Sequence, residues 1–138
     1  MNPADRPVPA RLDAARCLAY TEAWIDAWNA HDLDRIMSHY AAALSFTSPV
    51  VLARLPASDG TIRDLATLRD YFAIGLRSTP ALRFTLIEVL RGVEGFVMLY
   101  VNARGGHTAE YVEIDDHDLA TRVICCYGDG PPPAVKSR

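Results

Sequence analysis

The chain has 138 residues, 50% of them apolar and 22% charged, with a formal net charge of −3. That length allows one domain with a substantial core. The acidic balance, with no basic patch, argues against a nucleic-acid partner, and no apolar run approaches the ~18 residues that a membrane span requires.

Residues 1–10 carry Pro3, Pro7 and Pro9 and no apolar stretch. They read as an extended arm and not as a secretory signal, so the expected location is the cytoplasm. A helix is predicted from Arg11 to Asn29, on the stripe Cys17, Tyr20, Trp24, Ala27 and Trp28. Ala30-His31 breaks it, and Asp32 is a suitable N-cap for a second helix. There Leu33, Ile36, Met37 and Tyr40 share one face. Ala43 to Ser48 reads as a strand ended by Pro49. The segment from Val50 to Gly60 reads as a loop, and Pro49 to Gly60 is a candidate lid. Asp64 caps a third helix to Leu76, with Leu65, Leu68, Phe72 and Leu76 on one side. Four strands follow: Leu82 to Leu90, Phe96 to Ala103, His107 to Ile114 and Thr121 to Tyr127. The turns between them are Gly92–Gly95, a two-residue hairpin at Gly105-Gly106, and Asp115–Asp118. Short turns between successive strands predict an antiparallel meander. Residues 129–138 have no periodicity and read as a flexible tail, which leaves 11–128 as a single domain.

Three cysteines in irregular positions suit a reducing compartment. Cys125 and Cys126 are adjacent on a strand and point to opposite faces, so they do not pair. Asp115-Asp116-His117-Asp118 is read as a solvated turn, because short acids in one turn without a second ligand set do not close a metal site. Neither a metal nor a cofactor is expected.

One carboxylate stands out. Period two places Glu110 on a face with Val112 and Ile114. A carboxyl on an apolar face is either a pocket acid, with its pKa raised by desolvation and able to act in acid–base chemistry, or a structural group paired with Arg83, Arg104 or Arg122. Both readings stand at this level. Tyr20, Trp24, Trp28 and Tyr40 either line a cavity or fill the core. Met98, Tyr100 and Asn102 share a face, which points inward toward a ligand or outward toward a dimer partner.

The helix pair from Trp24 to Tyr40 with its Ala-His-Asp-Leu-Asp break, the strand end Phe46-Thr-Ser-Pro49 and the helix segment Leu68–Phe72 form a recognisable series. It continues with Glu110–His117 and Val123–Tyr127. In this series the chain resembles the SnoaL-like branch of the nuclear-transport-factor-like superfamily, whose fold is shared by ketosteroid isomerases, scytalone dehydratase, limonene-epoxide hydrolase and polyketide cyclases. The resemblance covers roughly Leu12 to Gly128. It implies an α+β cone, with a curved antiparallel sheet wrapped around three N-terminal helices and an apolar pocket at its mouth. Phe46, Ser48, Phe72 and Val112 then join the expected pocket set, and Val123, Cys125 and Tyr127 face inward. The resemblance also implies a homodimer through the outer sheet face.

Carried over by position, the general base of ketosteroid isomerase falls at Ser48, its oxyanion tyrosine at Trp24 and its protonated acid at Glu110. Only the last keeps a suitable group. Two functions follow. One is a cofactor-independent enzyme acting on a small apolar molecule such as a polyketide, terpenoid or steroid-like ring, by isomerisation, cyclisation, dehydration or hydrolysis. The other is a binding or dimerisation module without chemistry.

Overall fold

A computed structural model describes residues 11–134. The arm expected over 1–10 and the end of the tail, 135–138, lie outside the described residues. Helix α1 spans Ala14–Asn29 and starts later than expected, because Asp13 is its cap: the carboxylate accepts the Arg16 backbone N–H at 2.7 Å. The helix stops at Ala30, and His31 turns the chain with φ 54°. Helix α2 is short, Leu33–Met37, with Asp32 as its cap.

Tyr40 corrects the expected helix face. It opens strand β1, Tyr40–Thr47, because the neighbouring His39 carbonyl accepts the Ala120 N–H and fixes the chain against the last strand. Pro49 also needed a different reading. It does not merely end a strand but occupies the first turn of helix α3, Pro49–Arg54, behind the cap Ser48. The expected loop therefore holds α3, a 3-10 turn at Pro56–Ser58 and, just beyond it, the short strand β2, Thr61–Ile62. Helix α4 runs Leu65–Ser78 from the cap Asp64 and buries Leu68 and Phe72.

Strands β3 (Thr85–Arg91), β4 (Phe96–Val101), β5 (His107–Ile114) and β6 (Ala120–Tyr127) form the expected antiparallel meander. The whole sheet, ordered β2-β1-β6-β5-β4-β3, is mixed, since β1 lies parallel to β6. The turn after β4 is also wider than a two-residue hairpin: Val101 pairs with His107, leaving residues 102–106 outside the ladder. Gly105 supplies the left-handed position there, with φ 81°. Register shifts in β1/β6, β3/β4 and β5/β6 bend the open sheet into a cone.

The pairing aligns three rows on the inner face: Phe96–Val112–Val123, Met98–Glu110–Cys125 and Tyr100–Thr108–Tyr127. Helix α1 packs into this concavity. Tyr20 meets Phe96 with ring centroids 5.7 Å apart, and Trp24 meets Tyr100 at 5.4 Å. Helix α4 closes the other side through Phe72, which touches Trp28, Tyr40 and Phe46.

Two polar devices hold the helix in register with the sheet. Asn29 acts as a strand partner: its Oδ1 accepts the Phe84 N–H at 2.7 Å, and its Nδ2 donates to the Phe84 carbonyl at 3.0 Å. His31 Nε2 donates to the Leu82 carbonyl at 2.8 Å. These side chains occupy the Leu82 carbonyl and both Phe84 backbone groups, and β3 starts at Thr85. At the other end Arg16 bonds the Asp118 carboxylate and the Asp115 carbonyl, docking the β5–β6 turn on α1. That turn is thus anchored as well as solvated.

Replacing Asn29 by Ala leaves both Phe84 backbone groups without these partners. Urea denaturation is expected to show a loss of about 2–4 kcal/mol, with thermal melting lowered in parallel. A variant within ~0.5 kcal/mol of wild type would mean that the clamp does not hold this segment.

Candidate functional site

The cone encloses a cavity of about 470 Å³ that opens beside the 102–106 turn and residues 128–130. Its walls are mainly aromatic: Trp24 and Trp28 from α1, Phe46 from β1, Tyr71 and Phe72 from α4, and Phe84 before β3. Phe84 lies 4.7 Å from Tyr100 and stacks on Trp24 at 5.6 Å between ring centroids.

Glu110 lines this cavity while only 2% exposed. In the middle inner row it stands between Met98 and Cys125. The Tyr100 hydroxyl donates to its Oε1 at 2.8 Å. Its Oε2 has no hydrogen-bond partner of acceptable geometry among the described residues, and no arginine pairs with it. Arg122, one of the three arginines considered, pairs instead with Glu113. Burial pushes the Glu110 carboxyl up to about 7, against a weaker opposing pull from the Tyr100 hydroxyl and the Cys125 thiol. Its titratable neighbours are all weak acids. Burial drives Tyr20, Tyr40, Tyr100 and Cys125 well above their ordinary values, and the charge on Glu110 adds to that. Near neutral pH Glu110 is the group in this cluster that exchanges a proton.

Of the other residues expected at the pocket, Trp24, Trp28, Phe46, Phe72, Tyr100, Asn102, Cys125 and Tyr127 line the cavity. Tyr20, Tyr40, Ser48, Met98, Val112 and Val123 are buried but lie outside its lining. Met98, Val112 and Val123 belong to the inner rows and, with Tyr20 and Tyr40, to the packed core, while Ser48 caps α3.

A family model described as a SnoaL-like domain matches residues 21–123. A SnoaL-like protein of unknown function from Burkholderia thailandensis is 32% identical with a TM-score of 0.78, over 84% of this chain and 97% of that one. The chain belongs to the SnoaL-like domain family. A candidate isomerase of this family from Agrobacterium tumefaciens superposes with a TM-score of 0.65 at 12% identity, over 83% of this chain and 98% of that one. TerC, crystallised with polyporic acid, superposes with a TM-score of 0.66 at 15% identity, over 82% and 92%. A search of curated proteins gives no match.

Within this SnoaL-like domain the three positions considered for catalysis have separate fates. Ser48 is 2% exposed and accepts the Val50 N–H as the cap of α3. Trp24 directs its indole N–H to the Tyr40 hydroxyl at 2.9 Å, so that donor is occupied. Glu110 alone keeps an unpartnered polar atom. Outside those three positions, the indole N–H of Trp28 is also buried without a partner among the described residues.

Sequence reasoning missed Tyr71, Phe84, Leu82, Val50, Arg54 and Arg104 in the cavity wall. Tyr71 was within reach, one residue before Phe72 and three after Leu68 on the same helix face. Phe84 was not, because its inward direction depends on the Asn29 clamp.

The raised Glu110 pKa has a stability signature. The folded protein binds the proton more tightly than the unfolded chain, so stability falls as pH rises from about 4.5 toward 7 and stays reduced above it. The difference is about 3 kcal/mol. Glu110→Gln removes this dependence. Urea midpoints measured at pH 5 and pH 8 should show the variant gaining on wild type at pH 8. Equal pH profiles for the two proteins would remove the dry-pocket reading of this carboxyl.

Proposed function

We propose that the domain binds a small, mostly apolar molecule in its cone and acts on it by cofactor-independent acid–base chemistry through Glu110. One observation carries this reading: a carboxyl with a pKa of about 7 lines an aromatic cavity with one oxygen unpaired. The volume lies within the range of small-molecule sites. Polyketide, terpenoid and steroid-like skeletons fit the chemistry of the walls.

The protonated form offers an O–H from Oε2 to a carbonyl or hydroxyl oxygen, while Tyr100 holds Oε1 and fixes the carboxyl plane. The ionised form accepts a proton from carbon or oxygen. A group titrating near neutrality does both with little driving-force penalty. With Ser48 spent as a cap, no second base stands beside Glu110 among the described residues. The chemistry that best suits this arrangement is therefore enolisation or isomerisation, with one group giving and returning the proton. Cyclisation, dehydration and hydrolysis need a further proton acceptor, supplied by water or by the ligand. The occupied donor of Trp24 supports a second reading, in which the cone binds its ligand without chemistry.

The two readings part in heavy water. Incubating the protein with a panel of aromatic and polycyclic ketones should give deuterium exchange next to the carbonyl, slowed about 10²–10⁴-fold in Glu110→Gln. Binding without exchange, or exchange equal in the variant, would favour the non-catalytic module.

We also propose a homodimer through the outer sheet face and a cytoplasmic location. Support for the dimer comes from the outer row Leu90–Val97–Tyr111–Ile124, an apolar band facing away from the core. No helix among the described residues is long and apolar enough to cross a membrane. Sedimentation should give twice the chain mass at micromolar concentration and a shift toward monomer in Val97→Asp. A monomer throughout would contradict the dimer.

A further inference from the structure

Polar groups are arranged differently at the two ends of the cavity. Among the described residues no cation lines the deep end. Glu110, Tyr100 and Thr108 line it there, and the Trp28 indole N–H is unpartnered. These groups recognise a neutral oxygen, and a buried anion beside a carboxyl of raised pKa is strongly disfavoured. The mouth is different. Arg54, the last residue of α3, and Arg104, in the turn after β4, both line the opening and are both exposed. Among the described residues neither arginine takes part in a salt bridge. Arg54 lies 5.8 Å from the centroid of the Tyr71 ring, which holds its guanidinium along the cavity wall. Among the described residues Asp129 is the one acid on the same rim, and it pairs with neither arginine. The rim is thus net positive on a chain whose formal charge is −3.

The geometry points to an amphiphilic organic anion as the ligand: an aromatic or polycyclic body inserted toward Glu110, with a carboxylate or other anionic group left at the mouth against Arg54 and Arg104. This rests on the pocket reading above and narrows it. A planar guanidinium presents paired donors to a carboxylate or sulfonate, and cations around a low-dielectric cleft also steer anions toward it.

The test uses two fluorescent probes with one skeleton: anilinonaphthalene sulfonate, which is anionic, and phenylnaphthylamine, its uncharged parent. Titrations at low and high salt are run on wild type and on the double variant Arg54→Gln/Arg104→Gln, with melting curves to confirm folding. The sulfonate should bind wild type about tenfold more tightly than the parent at low salt. High salt should shrink that preference, and the double variant should bring the ratio to about one. If the parent binds and the sulfonate shows no preference, or if the preference survives in the double variant, the anionic ligand is wrong while the pocket stands. If neither probe binds, the pocket reading falls and this inference falls with it. A carboxylate analogue of the sulfonate probe in the same titration distinguishes the two anion types by their relative loss in the double variant.

Discussion

The structure turns on the cost of taking one carboxyl out of water. Glu110 is almost fully enclosed, yet among the described residues it receives a single well-formed hydrogen bond, from Tyr100, and no cation compensates its charge. A domain of this size has only a small margin of stability, so a neutral carboxyl is the form it tolerates. The raised pKa is the direct consequence. The surrounding core makes that burial possible. The inner rows of the sheet fix where Glu110 stands, the α1 aromatics pack on Phe96 and Tyr100 in those rows, and α4 closes the cone against Phe46 and Trp28.

Such an arrangement is costly for stability and useful for chemistry, as functional sites often are. An arginine beside Glu110 would stabilise the carboxylate and remove its capacity to exchange a proton near neutrality. Positive charge is instead kept at the rim, on Arg54 and Arg104. Depth and mouth are therefore electrostatically distinct: a neutral acid below, cations in solvent above. For the ligand proposed above, that polarity sets an orientation before any contact specific to its skeleton is made.

Much of this was legible in the residues. Alternation along Thr108–Ile114 placed Glu110 on an apolar face without deciding between pocket acid and ion pair, and the stripes on α1 and α4 named Tyr20, Trp24, Trp28 and Phe72, which the structure buries. The misreadings have physical causes. Tyr40 fits the helical spacing of Leu33, Ile36 and Met37, but pairing with β6 outweighs one further turn of helix. Ser48-Pro49 carries two meanings, a strand end and a helix start, and the side-chain cap on Val50 decides for the second. The parallel β1–β6 pair joins segments about eighty residues apart, which no local pattern encodes. The Asn29 clamp escaped for a related reason: the side chain lies on the polar side of its helix, and its partner is the backbone of Phe84. The cavity wall depends on that clamp, so its outline could not be drawn from periodicity alone.

The most direct measurement is the titration of the Glu110 side-chain carboxyl itself. Carbon NMR on protein labelled at glutamate, with Glu110→Gln used to assign the resonance, reads its protonation without a substrate. A midpoint near 7 is expected, with the neighbouring tyrosines silent over the same range. A midpoint near 4.5, the ordinary value, would mean that water or an unrecognised partner reaches this carboxyl. The case for acid–base chemistry in this cone would then be lost.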